Sequence, residues 1–163
     1  MRKEDIAKIV LVNLEKFIKT EQKNILKPPL IKFITDIALN PLNWGKKRRV
    51  SLAAQKLADK MNFIKDLKYV TQNQLKHLID KNRNDGKGKT ALVLDHYVPV
   101  KQLISELLNY QNPKIKDILK VMNKAAVNVI TWKEHKNLEK LGYKSNRPSP
   151  TKAYKSAKIE LIH

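Results

Sequence analysis

Ala91-Leu92-Val93-Leu94-Asp95-His96-Tyr97-Val98-Pro99 is the stretch that decides the fold class. Upstream of it the apolar residues recur at helical spacing. Here they run together from Ala91 to Leu94, the pattern of a short buried strand. Pro99 then breaks the run, because it lacks a backbone donor. A second run, Val127-Asn128-Val129-Ile130, reads the same way. Two helical patterns lie between the runs: Val100, Leu103, Ile104, Leu107 and Leu108, then, after Asn112-Pro113, Ile115, Ile118, Leu119 and Met122. Thr131 is placed to cap a further helix over 132–141, and Gly142 stops it. The spacing therefore predicts a β-α-α-β-α module.

On the amino-terminal side the chain reads as helices. Over 3–23 the stripe is Ile6, Ile9, Val10, Leu14, Phe17 and Ile18. Pro28-Pro29 closes it, and Leu30, Phe33, Ile34, Ile37 and Ala38 make a second stripe before the turn Asn43-Trp44-Gly45. Ser51 is suited to cap a helix carrying Leu52, Ala53, Leu57, Ala58 and Met61. Another helix is expected over 71–80, with Leu75, Leu78 and Ile79 inward. Residues 82–89 contain no apolar side chain and read as a loop. Beyond 142, residues 144–151 read as a loop, and 154–162 as a short amphipathic tail. The expected class is α+β and predominantly helical, in a single domain over 1–163. A division into a helical part, 1–81, and the module, 89–163, is the alternative.

The chain has 163 residues, with 34 Lys plus Arg against 15 Asp plus Glu, a formal charge of +19. Its hydrophobic fraction of 42% is enough for a core, so the charge coats a folded body. Such a surface seeks an anionic partner, and nucleic acid gains most from it, because neutralised phosphates release counterions. DNA is the expected partner and RNA the next, with a second copy of the chain as a further one. A membrane surface fits less well, since aromatic residues are 6% and no lipidation motif is present. No apolar run approaches the roughly 20 residues of a membrane span. The start, Met1-Arg2-Lys3-Glu4-Asp5, is not that of a signal peptide. No cysteine is present, which excludes disulfides and thiolate zinc and suits a cytoplasmic protein.

The chemistry-bearing residues cluster in the module. Asp95 can hold a hard divalent cation, and a neutral His96 can take a proton from water. Asp95-His96, Pro99, then Asn128 and His135 resemble the signature of the HNH, or ββα-metal, nucleases, over about residues 91–140. The resemblance implies a divalent-cation-dependent endonuclease using Mg²⁺ or Mn²⁺. It implies Asp95 and His135 as metal ligands, His96 as the catalytic general base and Asn128 as active-site support. Taken without the resemblance, Asp95 also suits a helix cap near Pro99, His96 a half-buried histidine with a backbone partner, and His135 a solvated helix face. A non-enzymatic DNA- or RNA-binding module with a structural Asp-His pair is then the alternative. A metal-free toxin acting on RNA is a third reading.

The cations expected on nucleic acid are Lys46, Lys47, Arg48 and Arg49, which form the densest positive run. Lys87 and Lys89 in the loop join them, as does Arg147 with Lys144, Lys152, Lys155 and Lys158 near the end. Gly88-Lys89-Thr90 ends like a phosphate-binding loop, but that motif needs a glycine where Arg83 stands.

Overall fold

The computed structural model describes residues 3–20, 32, 48–75, 78 and 91–162. The stripe over 30–38, the turn at 43–45, the loop over 82–89, His77 and His163 lie outside the described residues, as do Lys46, Lys47, Lys87 and Lys89.

In chain order the elements are α1 (Lys3–Thr20), β1 (Val50–Ser51), α2 (Leu52–Lys60), α3 (Gln72–Leu75), β2 (Leu92–His96), α4 (Val100–Leu108), α5 (Ile115–Lys124), β3 (Val127–Thr131), α6 (Trp132–Lys140), α7 (Pro150–Ser156) and β4 (Leu161–Ile162). The class is α+β, and the β-α-α-β-α order of the second half is as expected. Three helix starts follow from their local chemistry. Ser51 accepts from the Ala54 amide at 3.0 Å. Thr131 Oγ1 accepts from the Glu134 amide, and the Glu134 carboxylate accepts from the Thr131 amide, a reciprocal box that satisfies two otherwise orphaned donors. Pro150 occupies the first turn of α7, where its missing donor costs nothing.

The described strands form one mixed sheet in the order β2-β3-β1-β4. β2 and β3 are antiparallel, β3 and β1 parallel, and β1 and β4 antiparallel. One face carries Val50, Leu92, Leu94, Val127 and Val129, packed against Ala54 and Ala58 of α2 and against Leu67, Val70 and Leu75. The other carries Ile130 and Val93, packed against Leu138 of α6 and Ala153 and Tyr154 of α7. A separate cluster joins α1 to α4 and α5 through Ile6, Val10, Leu14, Leu103, Leu107, Ile118 and Val121. Burying each such side chain contributes about 1.5–3 kcal/mol.

Three differences from the sequence expectation stand out. Ile9 is 48% exposed, because Ile6, Val10 and Leu14 form an i, i+4 ladder that leaves it on the flank. β2 continues through His96 instead of closing at Leu94. β1 and β4 were not expected as strands at all. No described helix is long and apolar enough to cross a membrane.

Candidate functional site

The extra length of β2 decides the geometry. Asp95 pairs with Asn128 and His96 with Val127. Successive strand residues point to opposite faces. Asp95 therefore faces α6 and α7, while His96 shares its face with Leu94 and Val127. Asp95 does not cap the helix after Pro99: α4 starts at Pro99 with no side-chain cap.

On its face Asp95 is 4% exposed and its carboxylate is fully engaged. Arg147 meets it as a fork, Nη1 to Oδ2 at 2.7 Å and Nη2 to Oδ1 at 3.0 Å. The Tyr154 hydroxyl donates to Oδ2, and His135 Nδ1 lies 3.2 Å from Oδ1. Burial alone would raise the Asp95 carboxyl. The hydrogen bonds from His135, Arg147 and Tyr154, with the guanidinium charge, outweigh it and hold the group at about 2. Burial and then the Asp95 charge push the Tyr154 phenol well above its ordinary value, so it remains a donor. Burial also lowers His96 and so favours a neutral imidazole, against the opposing pull of the Asp95 charge.

Arg147 is expected on phosphates from its neighbours in sequence, yet it is 2% exposed. The reason is local and specific. Gly142 takes φ +80° after α6, and its amide donates to Glu139 O while that of Tyr143 donates to Leu138 O. This left-handed close of the helix delivers the Tyr143 carbonyl to Arg147 Nε at 2.7 Å. Arg147 Nη1 also donates to His96 O. Gln102 of α4 clamps the Arg147 backbone, accepting from its amide at 3.0 Å and donating to its carbonyl at 3.3 Å. The cluster is a buried, saturated ion pair whose role is positioning. Glu134 does similar work nearby, accepting from Ser51 Oγ at 2.7 Å and tying α6 to β1.

The residues named from sequence thus divide. Asp95, Asn128 and His135 share one face, and His96 takes the other. Asn128 is 1% exposed, and its side-chain amide lies against the Tyr154 hydroxyl. Both Asp95 oxygens are occupied, and no described group of three His, Asp or Glu side chains could hold a metal ion. As placed, Asp95 and His135 do not fit a divalent cation. Arg48, expected on nucleic acid, is 4% exposed, and burial lowers it to about 10. Its backbone amide donates to Lys68 O, which fixes it under the loop after α2.

Arg49, one residue on, behaves differently. Its guanidinium lies 4.1 Å over the Tyr97 ring. Tyr97 leans on Tyr154, with ring centroids 5.4 Å apart, and its hydroxyl shares a 2.6 Å hydrogen bond with Thr151. Arg49 and Tyr97 line an open pocket of about 510 Å³, together with Lys155, Lys158, Glu160 and Leu161. Lys155 and Lys158 belong to the basic tail read from sequence. Tyr97 follows Asp95 by two residues and so shares its face, a period-two signal present in the sequence. Tyr154 and Glu160 carry no such signal, since only the packing of α7 against the sheet brings them there.

No protein-family model, no curated protein and no solved structure matches the chain.

Proposed function

We propose that the chain is a cytoplasmic nucleic-acid-binding protein that holds DNA, with RNA as the next partner, through its phosphate backbone. The observation that carries this reading is where the +19 charge lies. Three acids of the second half are engaged by partners: Asp95 by Arg147, Glu134 by two helix caps, and Glu139 by Lys136 at 2.6 Å and Lys144 at 3.0 Å. Lys152, Lys155 and Lys158 are exposed on and just after α7. Around them the cations outnumber the nearby acid Glu160, and an excess of positive charge is the condition for steering and holding a polyanion.

The test is titration of a labelled DNA duplex at rising salt. Affinity should fall steeply, on a straight line of log K against log salt. Affinity that ignores salt overturns the reading. Divalent-cation-dependent endonuclease activity is the second reading. It is motivated by the sequence resemblance, and its general base would be His96, half-buried, favoured in its neutral form and on the opposite face of β2 from Asp95 and His135. The same protein incubated with plasmid DNA or RNA and Mg²⁺, Mn²⁺ or EDTA decides it. Cleavage that stops with EDTA and drops on the order of 10²–10⁴-fold in His96→Ala would make the chain an enzyme. No cleavage leaves a binding module in which Asp95 is structural.

A further inference from the structure

The pocket beside Tyr97 has features that backbone binding does not use. Its walls are mostly apolar, formed by Tyr97, Ile159, Leu161 and the stems of Lys155 and Lys158. Three cations, Arg49, Lys155 and Lys158, stand around it. A phosphate alone needs no apolar walls, and an apolar ligand alone needs no such ring of cations. A ligand with a flat apolar body and a phosphate needs both. At about 510 Å³ the pocket is within the usual range of small-ligand sites.

Two side chains narrow the class further. The Arg49 guanidinium lies over the Tyr97 ring, and a guanidinium braced on an aromatic ring is a surface on which nucleobases stack. Glu160 is the acid among the lining residues. It repels phosphate, so the phosphate must sit toward the lysines. A carboxylate accepts hydrogen bonds from exocyclic amino groups such as that of cytosine. An intact duplex keeps its bases stacked inside and offers none of them to a pocket.

We infer that this pocket takes one unpaired nucleotide of a single strand. Its base rests on the Arg49–Tyr97 wall with an amino edge toward Glu160, and its phosphate lies at Lys155 and Lys158. The inference rests on the nucleic-acid reading and deepens it by naming a single-stranded ligand.

Fluorescence anisotropy on the whole chain tests it at one fixed salt concentration. The probes are labelled oligo-dC, oligo-dU and an abasic strand of equal length and charge. Oligo-dC should bind on the order of tenfold tighter than the abasic strand, the usual scale of base stacking on a protein wall. It should also bind several-fold tighter than oligo-dU, whose base has a carbonyl in place of the exocyclic amino group and an N–H in place of the ring acceptor beside it. Glu160→Ala should bring the dC-to-dU ratio close to one, and Arg49→Ala should bring oligo-dC close to the abasic strand. Equal binding of oligo-dC and the abasic strand by the unaltered protein overturns the pocket assignment and leaves backbone binding standing. Equal binding of oligo-dC and oligo-dU overturns the role of Glu160. Free dCMP binding as tightly as oligo-dC would overturn the strand as the source of the nucleotide. Absence of salt-dependent binding to any strand or duplex removes the underlying reading itself.

Discussion

Arg147 and Arg49 are the same side chain used in opposite ways. Each lies against one ring of the Tyr97–Tyr154 pair: Arg147 is 5.5 Å from the centre of Tyr154, and Arg49 is 4.1 Å from that of Tyr97. Arg147 is sealed in, its donors directed to Asp95 and to backbone carbonyls of Tyr143 and His96. Arg49 is half-buried and borders an open pocket. Burial works against the Arg147 charge, and Asp95 outweighs it. The difference teaches that sequence neighbours alone do not assign a positive residue in a basic chain. Where a buried carboxylate waits, as Asp95 does for Arg147, the cation becomes structure.

The largest effect that tests this contrast is on stability. Arg147→Ala leaves the Asp95 carboxylate buried without its counter-charge and should cost about 3–5 kcal/mol. Arg49→Ala, read by denaturant midpoint in the same way, should change stability by about 0.5 kcal/mol or less. Replacing both members of the ion pair, Asp95→Val with Arg147→Met, should recover much of the loss, because an unpaired charge costs more than an absent pair. If Arg147→Ala were stable but flattened the salt dependence of DNA binding, Arg147 would be a phosphate contact and the contrast would collapse.

A smaller effect follows from acid. Asp95 titrates at about 2 in the folded protein against an ordinary value of 3.8. A lowered folded value means the stabilisation is complete above 3.8 and is lost as pH falls from there toward 2. The gap corresponds to about 2 kcal/mol. Denaturant midpoints measured down this range should fall more steeply for the unaltered chain than for Asp95→Asn. Parallel slopes would mean that Asp95 is not held by Arg147 in solution.

The smallest effect concerns how Arg147 is delivered. Gly142→Ala meets no atom within 4 Å of the added carbon, so its cost is conformational, from φ +80° alone. That should be about 1–2 kcal/mol in thermal or denaturant melts.

Much of this arrangement was legible in the chain. Ser51, Thr131 and Gly142 announce helix ends by local chemistry, and the stripes of α4 and α5 fix their inward faces. The end of β2 was not legible in the same way. Asp and His are poor strand residues, so Leu94 looks like the last one. Asp95 is tolerated there because Arg147, 52 residues further on, supplies its partner. The signal available was the acid itself, since a carboxylate next to an apolar run must find a donor or a charge. β1 and β4 are two residues each, too short to show alternation. Arg147 sits in a basic stretch, and its neighbours in sequence pointed to the surface while its partner in space pointed inward.

The strand order carries a consequence for how the chain is made. Among the described residues Val50 pairs with Val129 and Ile162, so β1 takes its place in this sheet when residues far along the chain exist. At ordinary synthesis rates that interval is on the order of ten seconds. Through it, β1 waits as an unpaired edge, next in the chain to a run of cations, until β3 arrives to pair with both β1 and β2. Unpaired edges recruit other chains. The same positive charge that suits a polyanion also keeps two such unfinished chains apart.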